Sequence, residues 1–217
     1  MKKLLKITFV VSVFLLAKKN YADGPQYQQA MKNAVSQMDS AVAPEQYMQL
    51  ANTFERIAGV ETKEWLPDYY AAYCYAIVAF TEKKDKKGID DLMDKADALI
   101  SKADALSPNN SEITTVKGLI NSGRIMVDPI SRGKKYGTLA NQDYKAAEKL
   151  DSLNPRPLFL EGQGLFYTPK MFGGGKERAK PVLATAVTKY KTFKPATDIS
   201  PNWGQKMAAD LLKQCDQ

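Results

Sequence analysis

The chain has 217 residues, 31 Lys or Arg against 24 Asp or Glu, and no histidine. Histidine is the commonest general base and transition-metal ligand, and no other metal-ligand spacing or nucleophile–base pattern stands out, so neither an enzyme, a metal nor another cofactor is expected. The formal charge of +7 arises largely in residues 1–22, which hold Lys2, Lys3, Lys6, Lys18 and Lys19 and no acid; the remainder carries 26 basic and 24 acidic residues, which gives no reason to expect nucleic acid as a partner.

The first element is a targeting segment. A basic start, Met1 to Lys6, precedes an apolar run, Ile7 to Ala17, broken only by Thr8 and Ser12. The run is shorter than the roughly 20 apolar residues a spanning helix needs, so the pattern reads as a secretory signal peptide. Cleavage after Ala22 leaves 23–217 as one domain, periplasmic or secreted, with no stable membrane span; the alternative is an uncleaved anchor. No cysteine follows the run to take a lipid.

The rest reads as helices separated by loops, an all-α fold of eight or nine helices. The first covers about 25–40, after Pro25, and the second about 45–58, from Pro44 to Gly59. In the second, Tyr47, Leu50, Ala51, Phe54 and Ile57 recur three and four apart on one face. Pro67 opens a third helix, Asp68 to Phe80, apolar nearly all round and therefore central. A charged loop, Thr81 to Lys87, leads to a fourth helix, about 89–106, which Pro108 stops. The fifth spans about 110–126, with Asn110 or Ser111 as cap. Residues 127–137 read as an irregular insertion. The sixth helix runs from there to about Leu153, the seventh covers about 157–167, and the eighth about 176–191. The last starts near Pro201 or Asn202.

Within these helices one spacing recurs. Ala96, Ile100, Ala103, Pro108 and Gly118 follow the order A-x3-I-x2-A-x4-P-x9-G. Echoes are Ala140, Tyr144 and Ala147, then Ala179, Leu183 and Ala186, with Tyr47, Ala51 and Phe54 a bulkier copy. The starts lie 49, 44 and 39 residues apart. The pattern resembles degenerate tetratricopeptide (TPR) repeats, whose regular period is about 34 residues; the extra residues here fall in the loops. The resemblance implies a solenoid of helix hairpins whose first helices line a concave groove that binds a protein or peptide.

On that reading the groove faces belong to residues 68–80, 110–126 and 157–167. The candidate partner-binding residues are Tyr69, Tyr73, Arg124, Arg156, Phe159, Gln163 and Phe166. Aromatic rings with arginines nearby suit a peptide carrying apolar and acidic groups. The alternative is a small-ligand-binding protein associated with a transporter, its pocket roofed by 127–137 and 168–175. Phe172 to Lys176 superficially evokes a phosphate-binding loop. Lys170 stands where the first glycine belongs and Glu177 follows the lysine, so nucleotide binding is not expected. What remains is a turn between two helices, with Gly174, Gly175 and Lys176 as a candidate anion site. Glu161 reads equally as a salt-bridge or a groove residue. Cys74 and Cys215 lie far apart along a linear stack, which disfavours a disulfide.

Overall fold

A computed structural model describes residues 24–81 and 85–217. The signal-peptide expectation falls on residues outside this range. Nine helices are present among the described residues: α1 Pro25–Ser40, α2 Pro44–Val60, α3 Trp65–Thr81, α4 Lys86–Leu106, α5 Ser111–Ile125, α6 Pro129–Leu150, α7 Arg156–Tyr167, α8 Lys176–Thr192 and α9 Gln205–Gln214. None of them is long and apolar enough to cross a membrane.

Local chemistry explains most boundaries. Proline occupies the first turn of α1, α2, α6 and α7, where its missing N–H has no helical partner to lose. Side-chain caps hold three further starts. Asp85 accepts from Gly88 N at 2.7 Å, Asn110 from Glu112 N at 2.9 Å and Asp128 from Ser131 N at 3.3 Å. The Asp128 cap and Pro129 together extend α6 through residues expected to be a loop, so 127–137 is helical from Pro129 onward and is no roof. The structure also begins α3 at Trp65 rather than after Pro67, ends α6 at Leu150 rather than Leu153, and starts α9 at Gln205, later than the prolines there implied.

The most extensive contacts join α2 to α3, α3 to α4, α5 to α6 and α7 to α8, and α3, α5, α7 and α9 also touch in sequence. The chain is thus a row of helix hairpins. The small-residue register is buried throughout: Ala51, Ala96, Ala103, Ala147, Ala179 and Ala186 are each fully covered. Gly118 shows why small residues are needed, since a Cβ there would strike the Tyr144 ring of the facing helix. Cys74 is buried in α3 and Cys215 lies at the end of α9; both are free thiols.

An open row would leave the inner face of α3 in water. It is covered instead by residues 193–204, which return across the array from α8. Tyr70 Oη donates to Ile199 O at 2.8 Å, Trp203 Nε1 donates to Tyr69 Oη at 2.9 Å, and Trp203 stacks on Tyr73 with centroids 4.5 Å apart. Lys32 of α1 pairs with Asp198 of this segment at 2.6 Å. One continuous apolar core therefore runs from Tyr27 to Leu211.

Candidate functional site

The residues expected to line a groove divide into two groups. Tyr69, Tyr73, Phe159 and Arg156 are core residues, none more than 2% exposed. Arg156 Nε donates to both Glu112 oxygens, at 3.0 and 2.8 Å, and Nη2 bonds Glu112 as well. Asn154 Nδ2 completes the cluster, donating to Glu112 Oε1 at 2.8 Å and to Ser111 Oγ at 3.0 Å. The guanidinium lies 4.5 Å from the Phe193 ring centroid and 5.7 Å from that of Trp203. Burial opposes its charge, but Glu112 more than offsets this and raises its pKa, so the guanidinium stays charged. This is a lock between the starts of α5 and α7, closed over by the chain's own Trp203. No partner reaches it without displacing residues 193–204.

Arg124 is likewise engaged internally. It bridges from α5 to α4, meeting Asp94 at 2.8 Å and also Asp97. Arg132 reinforces the same corner through Asp90, with bonds of 2.6 and 2.9 Å. Glu161, half-buried, has its pKa raised by burial and then by Glu148 of α6, with the Lys145 charge opposing. Of the expected groove residues, Arg124, Gln163 and Phe166 keep partial exposure, the last two on the last turns of α7.

That end of α7 is where an accessible surface forms. Ser111 and Asn154 bond at one end of the helices, so α7 runs from there toward the end where α5 finishes and α6 begins. Past Phe166 the chain enters a short connection containing a 3₁₀ turn, Lys170–Phe172. Three large side chains here lie open to water: Tyr167 is 68% exposed, Met171 83% and Phe172 67%. Phe166 meets Tyr167 edge-on at 5.1 Å, and the Lys176 ammonium sits 5.7 Å from the Phe166 centroid. Lys170 and Glu177, both exposed, pair at 2.7 Å.

The connection is held by backbone hydrogen bonds in spite of its exposure. Gly173 and Gly175 adopt φ of +87° and +107°, open to glycine and strained for other residues. Gly174 N donates to Pro169 O at 3.2 Å and Gly175 N to Leu165 O at 2.8 Å. The N–H groups of Gly174 and Gly175 are thus spent on the turn, and of the three residues expected at an anion site Lys176 keeps an outward charge. The apolar residues at the turn were missed as site candidates. The signal was present: methionine and phenylalanine in a glycine-rich loop have no helical face to pack on.

A second concavity, a groove of about 440 Å³, lies between α1 and α2, lined by Tyr27, Ala30, Ala34, Ile57 and Val60 with Arg56 beside them. Val60 is largely exposed, which makes this groove another apolar surface.

No protein-family model and no curated protein matches the chain. Among solved structures it is similar to the HusA haemophore from Porphyromonas gingivalis, at 36% identity and a TM-score of 0.79, covering 89% of this chain and 94% of that one. Identity at that level over nearly the whole of both chains places this protein in the HusA haemophore family.

Proposed function

We propose that this protein is an exported binding protein for haem or a closely related tetrapyrrole, which it holds on the exposed surface around Tyr167, Met171 and Phe172. The observation that carries the reading is full-length similarity to a protein described as a haemophore. The chemistry of the surface supports it. A tetrapyrrole is a broad flat apolar disc with carboxylates on one edge. Phe166, Tyr167 and Phe172 offer aromatic faces, and Lys176 offers a cation for a carboxylate. With no histidine in the chain, the Tyr167 phenol and the Met171 thioether are the groups on this surface able to meet an iron.

The reading favours a small ligand over a peptide. The aromatic face that a peptide would use is filled by residues 193–204. It also favours binding and release over catalysis, and export through the signal-like start at residues 1–22. We read the hairpins as degenerate TPR units adapted to this use, on the recurring small-residue spacing.

Titrating residues 23–217 with haemin and following the Soret band tests the proposal. A saturable shift is expected, weakened about tenfold or more when Tyr167, Met171 and Phe172 are changed together to serine. Absence of a saturable shift in the unaltered protein sinks the haem reading. Binding retained by the triple variant but lost in Val60→Asp moves the ligand to the α1–α2 groove.

A further inference from the structure

A second cleft, also about 440 Å³, lies on another face, between the ends of α2 and α4. Its lining includes Ala58 and Gly59 of α2, Leu99, Lys102, Ala105 and Leu106 of α4, and Asp68 of α3. Asp68 is 7% exposed, and no hydrogen bond or ion pair from the described residues reaches its carboxylate. Buried carboxylates are ordinarily completed by a cation or by donors.

Asp68 itself lies in the first turn of α3, and two helix C-termini bring negative polarity beside it. α2 ends at Val60 and α4 at Leu106, so the last carbonyls of both helices have no partner within the helix. Pro108 lacks the N–H that would otherwise reach back to Asp104 O. Two helix ends of negative polarity therefore meet at a cleft that already holds a carboxylate. Lys95 is drawn to Glu55 at 2.8 Å. Lys102 lines the cleft and its charge opposes the rise that burial gives the Asp68 pKa, but its side chain is exposed and forms no ion pair with the carboxylate among the described residues. The walls contributed by Ala58, Leu99, Ala105 and Leu106 are apolar.

We infer that this cleft binds a primary alkylammonium group, its charge against Asp68 and the helix-end carbonyls and its methylenes along Leu99 and Leu106. The same group is carried by free alkylamines and by lysine side chains. The site is independent of the tetrapyrrole surface and does not rest on that reading.

The test is titration of the ¹⁵N-labelled mature chain with n-butylammonium chloride, with n-butanol as the uncharged control and an N-acetyl-Gly-Lys-Gly amide as the lysine arm. Saturable shifts are expected at the amides of Gly59, Asp68 and Leu106, with no response to butanol. Asp68→Asn should weaken binding about tenfold or more while keeping the melting temperature at or above that of the unaltered protein. Ala105→Trp, at an exposed position, should block the cleft with Asp68 intact. Tighter binding of the peptide than of butylammonium assigns the site to a lysine side chain; equal or weaker binding assigns it to a free amine. Absence of saturable shifts at those amides overturns the inference. So does an equal response to butanol, or Asp68→Asn that binds as before. A marked fall in melting temperature for Asp68→Asn, without ammonium binding to the unaltered chain, reduces Asp68 to a stabiliser of the start of α3.

Discussion

The two ends of α7 carry similar residues and meet opposite fates. At its start, Arg156 and Phe159 join Tyr69, Tyr73, Tyr190 and Trp203 in a cluster sealed from water. At its finish, Phe166 lies half-buried beside Tyr167, Met171 and Phe172, which project outward. Composition does not separate them, since both ends combine aromatic rings with a cation on a ring face. The difference is what returns to cover them. Residues 193–204 fold back over the first end, and nothing among the described residues covers the second. Aromatic rings with a cation are thus a stability device at one end and stand open to solvent at the other.

The comparison breaks most readily at the buried end. Arg156→Leu leaves Glu112 charged, largely buried and deprived of its cation, with an expected loss of about 3–5 kcal/mol in urea unfolding. Trp203→Ala should lose a similar amount, about 3–5 kcal/mol, by opening a cavity between Tyr73 and Phe159. A change below 1 kcal/mol for either would mean that residues 193–204 lie loosely and that the inner face is available to a partner.

Alkaline titration sharpens the same contrast. Burial pushes the phenols of Tyr69, Tyr70, Tyr73 and Tyr190 above their ordinary value. Their folded-state pKa exceeds the unfolded one, so the stability they contribute is present below about pH 10 and is lost as pH rises from there toward the folded values. Each group alters stability by up to about 1.4 kcal/mol per pH unit across that window. Unfolding followed by circular dichroism should therefore set in above about pH 10, and a mature chain still fully helical at pH 12 contradicts the sealed cluster.

Smaller effects follow. Tyr70→Phe removes one buried hydrogen bond to Ile199 O and should cost about 1–2 kcal/mol in the same urea assay. The smallest belongs to the exposed end: serine at Tyr167, Met171 and Phe172 should shift stability by no more than about 0.5 kcal/mol per site while weakening the haemin response about tenfold or more. A large loss of stability there would make those side chains structural and erase the contrast.

Much of the fold was legible in consecutive residues. Pro25, Pro44, Pro108 and the Asn110 cap mark helix ends because a missing N–H or a side-chain acceptor acts within one turn. The spacing of Ala96, Ile100 and Ala103, and its copies, mark buried faces because helical periodicity needs only a few neighbours. The error at 127–137 was also local: Asp128-Pro129 is a helix-start pair, and the glycines at 133 and 137 that follow it are tolerated within the helix. The site was much less legible. Tyr69, Tyr73, Arg156 and Phe159 have the composition of a binding face, and only the return of Trp203, more than a hundred residues beyond Tyr73, turns them inward.

The sequence by itself determined an all-α chain of helix hairpins, the register of its small residues and the turn at 168–175. Those features depend on backbone hydrogen bonds, caps and side-chain periods that span a few residues. Which aromatic cluster is core and which meets solvent was decided by the tertiary structure, as was the placing of Asp68 in a cleft between two helix ends. Exposure is a property of what packs on top of a residue, and here the covering segment lies at the far end of the chain.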